Sequence, residues 1–260
     1  MKVLVTDPIA DAGIARLREA GHEVETAYDV AGQALLDGVA DANALVVRSG
    51  TEVTAAVFEA APELVIVGRA GIGVDNIDID AATEHGVVVA NAPEGNVRAA
   101  AEHIVAMTFA TARSIPQAHV RLTGGEWAKG EFLGTELNGK TLGVVGLGRV
   151  GQEVAKKLDS LGMEPFAYDP YISEERAEQL GTGLAELGDV LERADVLTIH
   201  TPLTPETEGL LGEAELAEME GGYVVNCARG GIVDEPAPRP PGGRRRRPPR
   251  AAPRPLPRTP

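Results

Sequence analysis

The sequence predicts an α/β protein of two doubly wound parallel-sheet domains, the second incomplete. Three observations carry this expectation. Across residues 1–95, short apolar runs alternate with helical patterns. A second alternation begins near Asn96 and contains the run Thr141-Leu-Gly-Val-Val-Gly-Leu-Gly-Arg-Val-Gly151. An acid, Asp169, stands eighteen residues after Gly151.

Taken in order, residues 2–6, 23–27, 45–47, 64–67 and 87–89 are apolar, β-rich runs that read as strands. Helical patterns near 9–20, 33–39, 54–60 and 78–85 separate them, which makes a small flavodoxin-like domain over 1–95. The alanine-rich stretch 97–112 reads as a long helix with Asn96 as a candidate N-cap. Residues 142–145 then form a short buried strand, and Val150, Val154, Leu158 and Leu161 recur at helical spacing behind it. Gly162 ends that helix, 163–168 is the next strand, and further strands fall at 196–200 and 223–226. This second, Rossmann-like domain is expected over 96–235.

The glycines gain weight from these flanks, since a bare G-x-G-x-x-G is common in a chain with 31 glycines. Gly146 makes the tight turn, Gly148 lets the backbone approach a pyrophosphate, and Gly151 lets helix pack on strand. The helix N-terminus offers unsatisfied N–H groups and partial positive charge to the phosphates. Asp169, at a strand end, accepts from ribose hydroxyls and repels a 2′-phosphate, so the expected cofactor is NAD rather than NADP. A glycine turn without a ligand is the competing reading.

Composition bounds the function. At 260 residues and 43% hydrophobic the chain can build a real core. It has no apolar run near the roughly eighteen residues of a membrane span, and it enters a strand at residue 2 without a signal peptide, so a cytoplasmic protein is expected. Cys227 is the only cysteine, which excludes disulfides and cysteine-rich metal sites; no metal is expected. The net charge of −15 conceals two regions: residues 1–235 carry 16 Lys+Arg against 39 Asp+Glu, or −23, and residues 236–260 carry eight arginines and no acid. An acidic body with five lysines repels nucleic acid and anionic membranes and suits a protein kept soluble at high salt; ordinary acidity is the alternative. The tail, with ten prolines, cannot build a core and is expected to be disordered. It reads as the product of a frameshift or truncation in a GC-rich gene, the alternative being a basic tail for acidic partners.

The segments Val47-Arg-Ser-Gly-Thr-Glu-Val53, Gly68-Arg-Ala-Gly-Ile-Gly-Val-Asp-Asn-Ile-Asp78, Asn91-Ala-Pro-Glu-Gly-Asn96, Glu136-Leu-Asn-Gly-Lys-Thr-Leu142, His200-Thr-Pro202 and Val225-Asn-Cys-Ala-Arg-Gly-Gly-Ile-Val-Asp-Glu235 together resemble the D-2-hydroxyacid dehydrogenase family. The resemblance covers residues 1–235 and is strongest to members that oxidise 3-phospho-D-glycerate on the way to serine. It implies a reversible hydride transfer between C2 of a small anionic 2-hydroxy acid and NAD, in a soluble homo-oligomer, dimer or tetramer.

Carried over residue by residue, the resemblance makes Arg229 the catalytic arginine that grips the substrate carboxylate, a role its planar fork suits. Arg48 matches the arginine that meets a substrate phosphate, with a solvated loop arginine as the alternative. Gly71 and Gly73 bring backbone N–H groups to the carboxylate and Asn96 serves at the hinge; plain turn glycines and a helix cap are the competing readings. Ile72, Arg149, Val150, Thr201, Cys227 and Ala228 line the cofactor cleft, with Cys227 a packing residue. The family also uses a glutamate and a histidine beyond the Asn226-to-Gly230 motif, and no histidine follows His200. The chain as written is therefore expected to be inactive, with little or no oxidation of the acid. The rivals are a glyoxylate or hydroxypyruvate reductase and a non-catalytic NAD-binding interaction module.

Overall fold

The computed structural model describes residues 1–219 and 221–235. The 236–260 tail, and the disorder expected of it, lie outside the described residues. The chain divides into two compact units, the first Met1–His103 and the second from Ile104 onward.

The first unit is a five-stranded parallel sheet. Its strands are β1 (Lys2–Val5), β2 (Glu23–Thr26), β3 (Ala44–Val47), β4 (Ile66–Arg69) and β5 (Val88–Asn91), in the order β2-β1-β3-β4-β5. That is the flavodoxin-like winding. Side-chain alternation along β1 divides the core: Leu4 packs with Leu35, Val39, Val57 and Phe58, whereas Val3 and Val5 pack against Ile9, Leu17 and Val24 on the other face. Helices α1 (Asp11–Glu19), α2 (Gln33–Val39), α3 (Ala55–Ala60) and α4 (Ile79–Glu84) supply those layers. Each large apolar side chain buried this way contributes about 1.5–3 kcal/mol. Asp78 caps α4 by accepting from the Ala81 N–H at 2.9 Å. Strands β4 and β5 run later than hydrophobicity alone indicates, ending at Arg69 and Asn91, which are register partners. Ladder hydrogen bonds belong to the backbone, so pairing continues past the last apolar residue.

Helix α5 (Val97–Ala112) begins where Asn96 O accepts from Ala100 N at 2.8 Å. Helix α6 (Ile115–Thr123) follows; none of its residues is buried. A second parallel sheet holds β6 (Thr141–Val145), β7 (Glu164–Tyr168), β8 (Gly183–Leu184), β9 (Val196–Ile199) and β10 (Tyr223–Asn226), ordered β10-β9-β6-β7-β8. Counted from β6 this is the Rossmann winding, and the strand order reverses between β6 and β9, the switch point where such sheets bind ligands. All five residues of β6 are buried. Helices α7 (Arg149–Asp159), α8 (Glu174–Gln179), α9 (Leu187–Arg193) and α10 (Glu213–Glu218) complete the layers, with Val145, Phe166, Leu197, Ile199 and Leu211 in the core.

Candidate functional site

In the second unit the candidate residues gather at the carboxyl ends of β6, β7, β9 and β10. Gly146 leaves β6 with φ +91°, a left-handed conformation that glycine adopts without strain. A Cβ there would lie 3.1 Å from the His200 carbonyl carbon and the Thr201 N. At Gly151 a Cβ would run into the Gly146 carbonyl oxygen, so this glycine lets α7 press onto the turn. Gly148 differs: it is the N-cap of α7, and a Cβ on it would meet nothing within 4 Å. The space over Gly148 and the first turn of α7, which opens at Arg149 and Val150, fit a pyrophosphate.

Asp169 follows β7. Its Oδ2 accepts from Leu147 N at 2.7 Å and its Oδ1 from Tyr171 N at 2.9 Å, leaving lone pairs on both oxygens for ribose hydroxyls. The Thr201 Oγ1 is buried with no hydrogen-bond partner, a donor and acceptor held for a ligand group beside the turn. Together these features fit a dinucleotide such as NAD.

Arg229 stands just beyond β10 on a turn wrapped by Asn226, whose Oδ1 accepts from Ala228 N at 3.0 Å and whose Nδ2 donates to Arg229 O at 2.8 Å. The Arg229 Nη1 donates to the Ala228 carbonyl at 2.7 Å, which folds the guanidinium back over its own turn. Cys227 is exposed, and partial desolvation pushes its thiol above the ordinary range, so it is protonated at neutral pH and unsuited to nucleophilic chemistry.

His200 closes β9, its N–H bonded to the Val145 carbonyl at 2.8 Å. Its ring packs beneath the glycine turn, with Cδ2 3.3 Å from where a Gly151 Cβ would lie. The Nε2 is sealed from solvent without a partner, and burial lowers the imidazole pKa to about 4. It is a neutral packing group at physiological pH.

In the first unit, Arg48 follows β3 and is exposed, its Nη1 3.5 Å from the Pro8 carbonyl. Gly71 and Gly73 follow β4, the neighbouring strand, since Val47 and Arg69 are register partners. The loop is pinned by Asn91, which donates to Ile72 O at 2.6 Å, and by Ala92 N, which donates to Gly71 O at 2.9 Å. Ile72 is half-buried in that loop. Sequence reasoning passed over Arg69: its guanidinium lies where a Gly71 side chain would project, so glycine at 71 makes room for a cation. Its signal lies in the sequence itself, an arginine two residues before Gly71. Among the described residues no group of three or more His, Cys, Asp and Glu is placed to hold a metal ion.

Residues 105–237 match a family described as D-isomer specific 2-hydroxyacid dehydrogenase, NAD binding domain. The D-3-phosphoglycerate dehydrogenase of Archaeoglobus fulgidus is 51% identical over 238 residues, covering 91% of this chain and 45% of that protein. The chain thus spans about half the length of the curated relatives it matches. Among solved structures, the TT0316 protein of Thermus thermophilus superposes with a TM-score of 0.82 at 34% identity, over 90% of this chain and 76% of that one. An NAD-dependent formate dehydrogenase of Staphylococcus aureus, in complex with NAD, gives 0.78 at 29% identity, over 90% of this chain and 75% of that one.

Proposed function

The chain belongs to the D-2-hydroxyacid dehydrogenase family, and from that premise we propose that it serves the NAD-dependent oxidation of 3-phospho-D-glycerate to 3-phosphohydroxypyruvate, the entry to serine biosynthesis. The observation that carries the substrate is the pair of arginines at adjacent strand ends, Arg48 after β3 and Arg69 at the end of β4. In a body of −23 such cations are what a phosphorylated acid needs to approach.

Residues 1–95 act as the substrate-binding domain and residues 96–235 as the NAD-binding domain. NAD supplies the acceptor for the C2 hydrogen and its electron pair. Gly146, Gly148 and Gly151, with Arg149 and Val150, hold its pyrophosphate, and Asp169 takes the adenosine ribose. Thr201, Cys227 and Ala228 would line its site in the second unit. In the second unit Arg229 would orient the substrate carboxylate and polarise the C2 oxygen; in the first, the N–H groups at Gly71 and Gly73 are assigned to the carboxylate. The hydroxyl proton needs an acid/base, and His200, sealed and neutral, cannot serve. The 260-residue chain by itself therefore binds both ligands and turns over slowly.

A second reading is an NAD-binding interaction module, favoured by the buried Nε2 and lowered pKa of His200. Two titrations decide. NAD against NADP should show a preference for NAD, and 3-phospho-D-glycerate against D-glycerate a preference for the phosphorylated acid. A chain that binds NAD but no 2-hydroxy acid would leave the module reading standing, and one indifferent to the phosphate would point to a glyoxylate or hydroxypyruvate reductase.

We also propose a cytoplasmic, salt-adapted homo-oligomer. Ile115, Val120, Leu122, Trp127 and Leu133 are all more than half exposed around α6, and a nine-residue helix with no buried face is marginal without a partner. No helix among the described residues is long and apolar enough to cross a membrane.

A further inference from the structure

The loop Arg48-Ser-Gly-Thr51 is gripped from both sides by buried side chains. Asp7, 8% exposed, follows β1, and its Oδ2 accepts from Arg48 N at 2.6 Å and from Thr51 N at 3.2 Å. Asn76, 7% exposed, follows β4 and its loop, and its Nδ2 donates to Arg48 O at 2.8 Å and to Thr51 O at 2.6 Å. The Thr51 hydroxyl adds a bond to the Thr6 hydroxyl at 2.9 Å, both residues being buried. At Gly50 a Cβ would come 2.5 Å from the Asp7 Oδ1, so the loop lies flat on the carboxylate. Arg48, Ser49 and Gly50 are nevertheless exposed.

A connection from β3 to α3 does not require this. Burying a carboxylate, an amide and two hydroxyls costs free energy that their hydrogen bonds only offset. The return is rigidity in a loop whose outer side offers a cation to solvent. An oxygen suits the N–H side because its two lone pairs can accept from two donors, and an amide nitrogen suits the carbonyl side because it carries two hydrogens.

We propose that Asp7 and Asn76 are positioning residues, a clamp that pre-sets the Arg48–Thr51 loop for the phosphate of the substrate. This rests on the reading of Arg48 as a phosphate contact. Asp7 works through its oxygen and not through its charge, because a negative group beside the site opposes an anion. Asparagine at position 7 therefore preserves the function, whereas alanine does not.

The test uses the full 260-residue chain, titrated with 3-phospho-D-glycerate and with D-glycerate while backbone amide shifts are followed. Asp7→Ala should lower the preference for the phosphorylated acid about tenfold, the equivalent of one ordinary hydrogen bond. Asp7→Asn should keep it. A preference that survives Arg48→Ala refutes the phosphate reading, whatever Asp7 does. A preference lost in Arg48→Ala but intact in Asp7→Ala refutes the clamp alone, as does equal loss in Asp7→Asn and Asp7→Ala. If Asp7→Ala does not fold, amide exchange on the unaltered, ligand-free chain decides: the Arg48 and Thr51 N–H groups should be protected, and exchange at open-loop rates overturns the clamp.

Discussion

The carboxylate of Asp169 accepts a hydrogen bond from the Leu147 N–H at 2.7 Å, tying the tip of β7 to the glycine turn between β6 and α7. Sequence spacing proposes Asp169 for a ribose; the structure adds that the same group braces the glycine turn after β6. The two roles separate by substitution. Asp169→Asn keeps an oxygen for Leu147 but loses the charge that repels a 2′-phosphate, so it should hold its melting temperature while its discrimination against NADP falls. Asp169→Ala orphans the Leu147 N–H as well, and should cost about 1–3 kcal/mol of stability and weaken NAD binding. Calorimetry with both cofactors, beside thermal melts, checks this; equal affinity of the unaltered chain for NAD and NADP would sink the assignment.

Gly148 and Gly151 should respond oppositely to the same methyl group. At Gly151 it meets the Gly146 carbonyl, so Gly151→Ala should destabilise the fold by about 1–3 kcal/mol, as overpacking does. At Gly148 the methyl meets no protein atom and φ is −70°, so Gly148→Ala should melt like the unaltered chain yet bind NAD about tenfold more weakly, by blocking backbone approach. A Gly148→Ala chain with unchanged NAD affinity would contradict the pyrophosphate placement.

Much of this was legible in sequence because buried parallel strands are apolar runs: β1, β3, β6 and β9 announce themselves through Leu4, Leu45, Val144 and Leu197, all fully buried. Helix α6 was missed because its apolar residues face solvent and Pro116 reads as a break, although proline fits a first helical turn. Strand β8 has only two residues, too few for a pattern, and α8 was passed over despite a capping signal, Ser173 accepting from Arg176 N. Asp7 lay out of reach for another reason. Its partners Arg48 and Thr51 are 41 and 44 residues away, and only the sheet order, which sets β3 beside β1, brings them together.

His200 makes stability depend on pH. Its pKa is about 4 in the fold and ordinary, about 6.5, when unfolded. Above pH 6.5 both states are neutral and the native state bears no penalty. As pH falls from 6.5 toward 4 the unfolded chain takes a proton that the native one refuses, and stability declines by about 3 kcal/mol before levelling off. The difference in unfolding free energy between the chain and His200→Asn, followed from pH 7 to pH 5, should show this decline; parallel curves would remove His200 as its source.

The −23 body should gain from salt. Its carboxylates repel one another less as the Debye length shrinks from about 10 Å at 0.1 M to about 3 Å at 1 M. The melting temperature should rise with KCl across that range, and a steady fall would tell against salt adaptation.

The role proposed for Arg229 can be tested by separating ligand binding from turnover. Asn226 holds its turn through bonds to Ala228 N and Arg229 O, so the guanidinium leaves the end of β10 from a fixed base. A carboxylate that takes the place of the Ala228 carbonyl on Nη1 would engage a paired, charge-assisted contact, worth more than the neutral bond it displaces. The His200 Nε2 is buried and its imidazole pKa lies near 4, so this ring carries no extra proton to exchange at neutral pH. On the proposed reading NADH formation from 3-phospho-D-glycerate is slow, by about the 10²- to 10⁴-fold that general acid–base catalysis is worth, while NAD binding is intact. Arg229→Ala should abolish the residual rate and weaken binding of the acid, yet leave NAD affinity nearly unchanged, and Arg229→Lys should recover little because a point charge cannot match the planar fork. Full-speed turnover by the 260-residue chain that survives Arg229→Ala would refute both the arginine's role and the need for a further proton carrier.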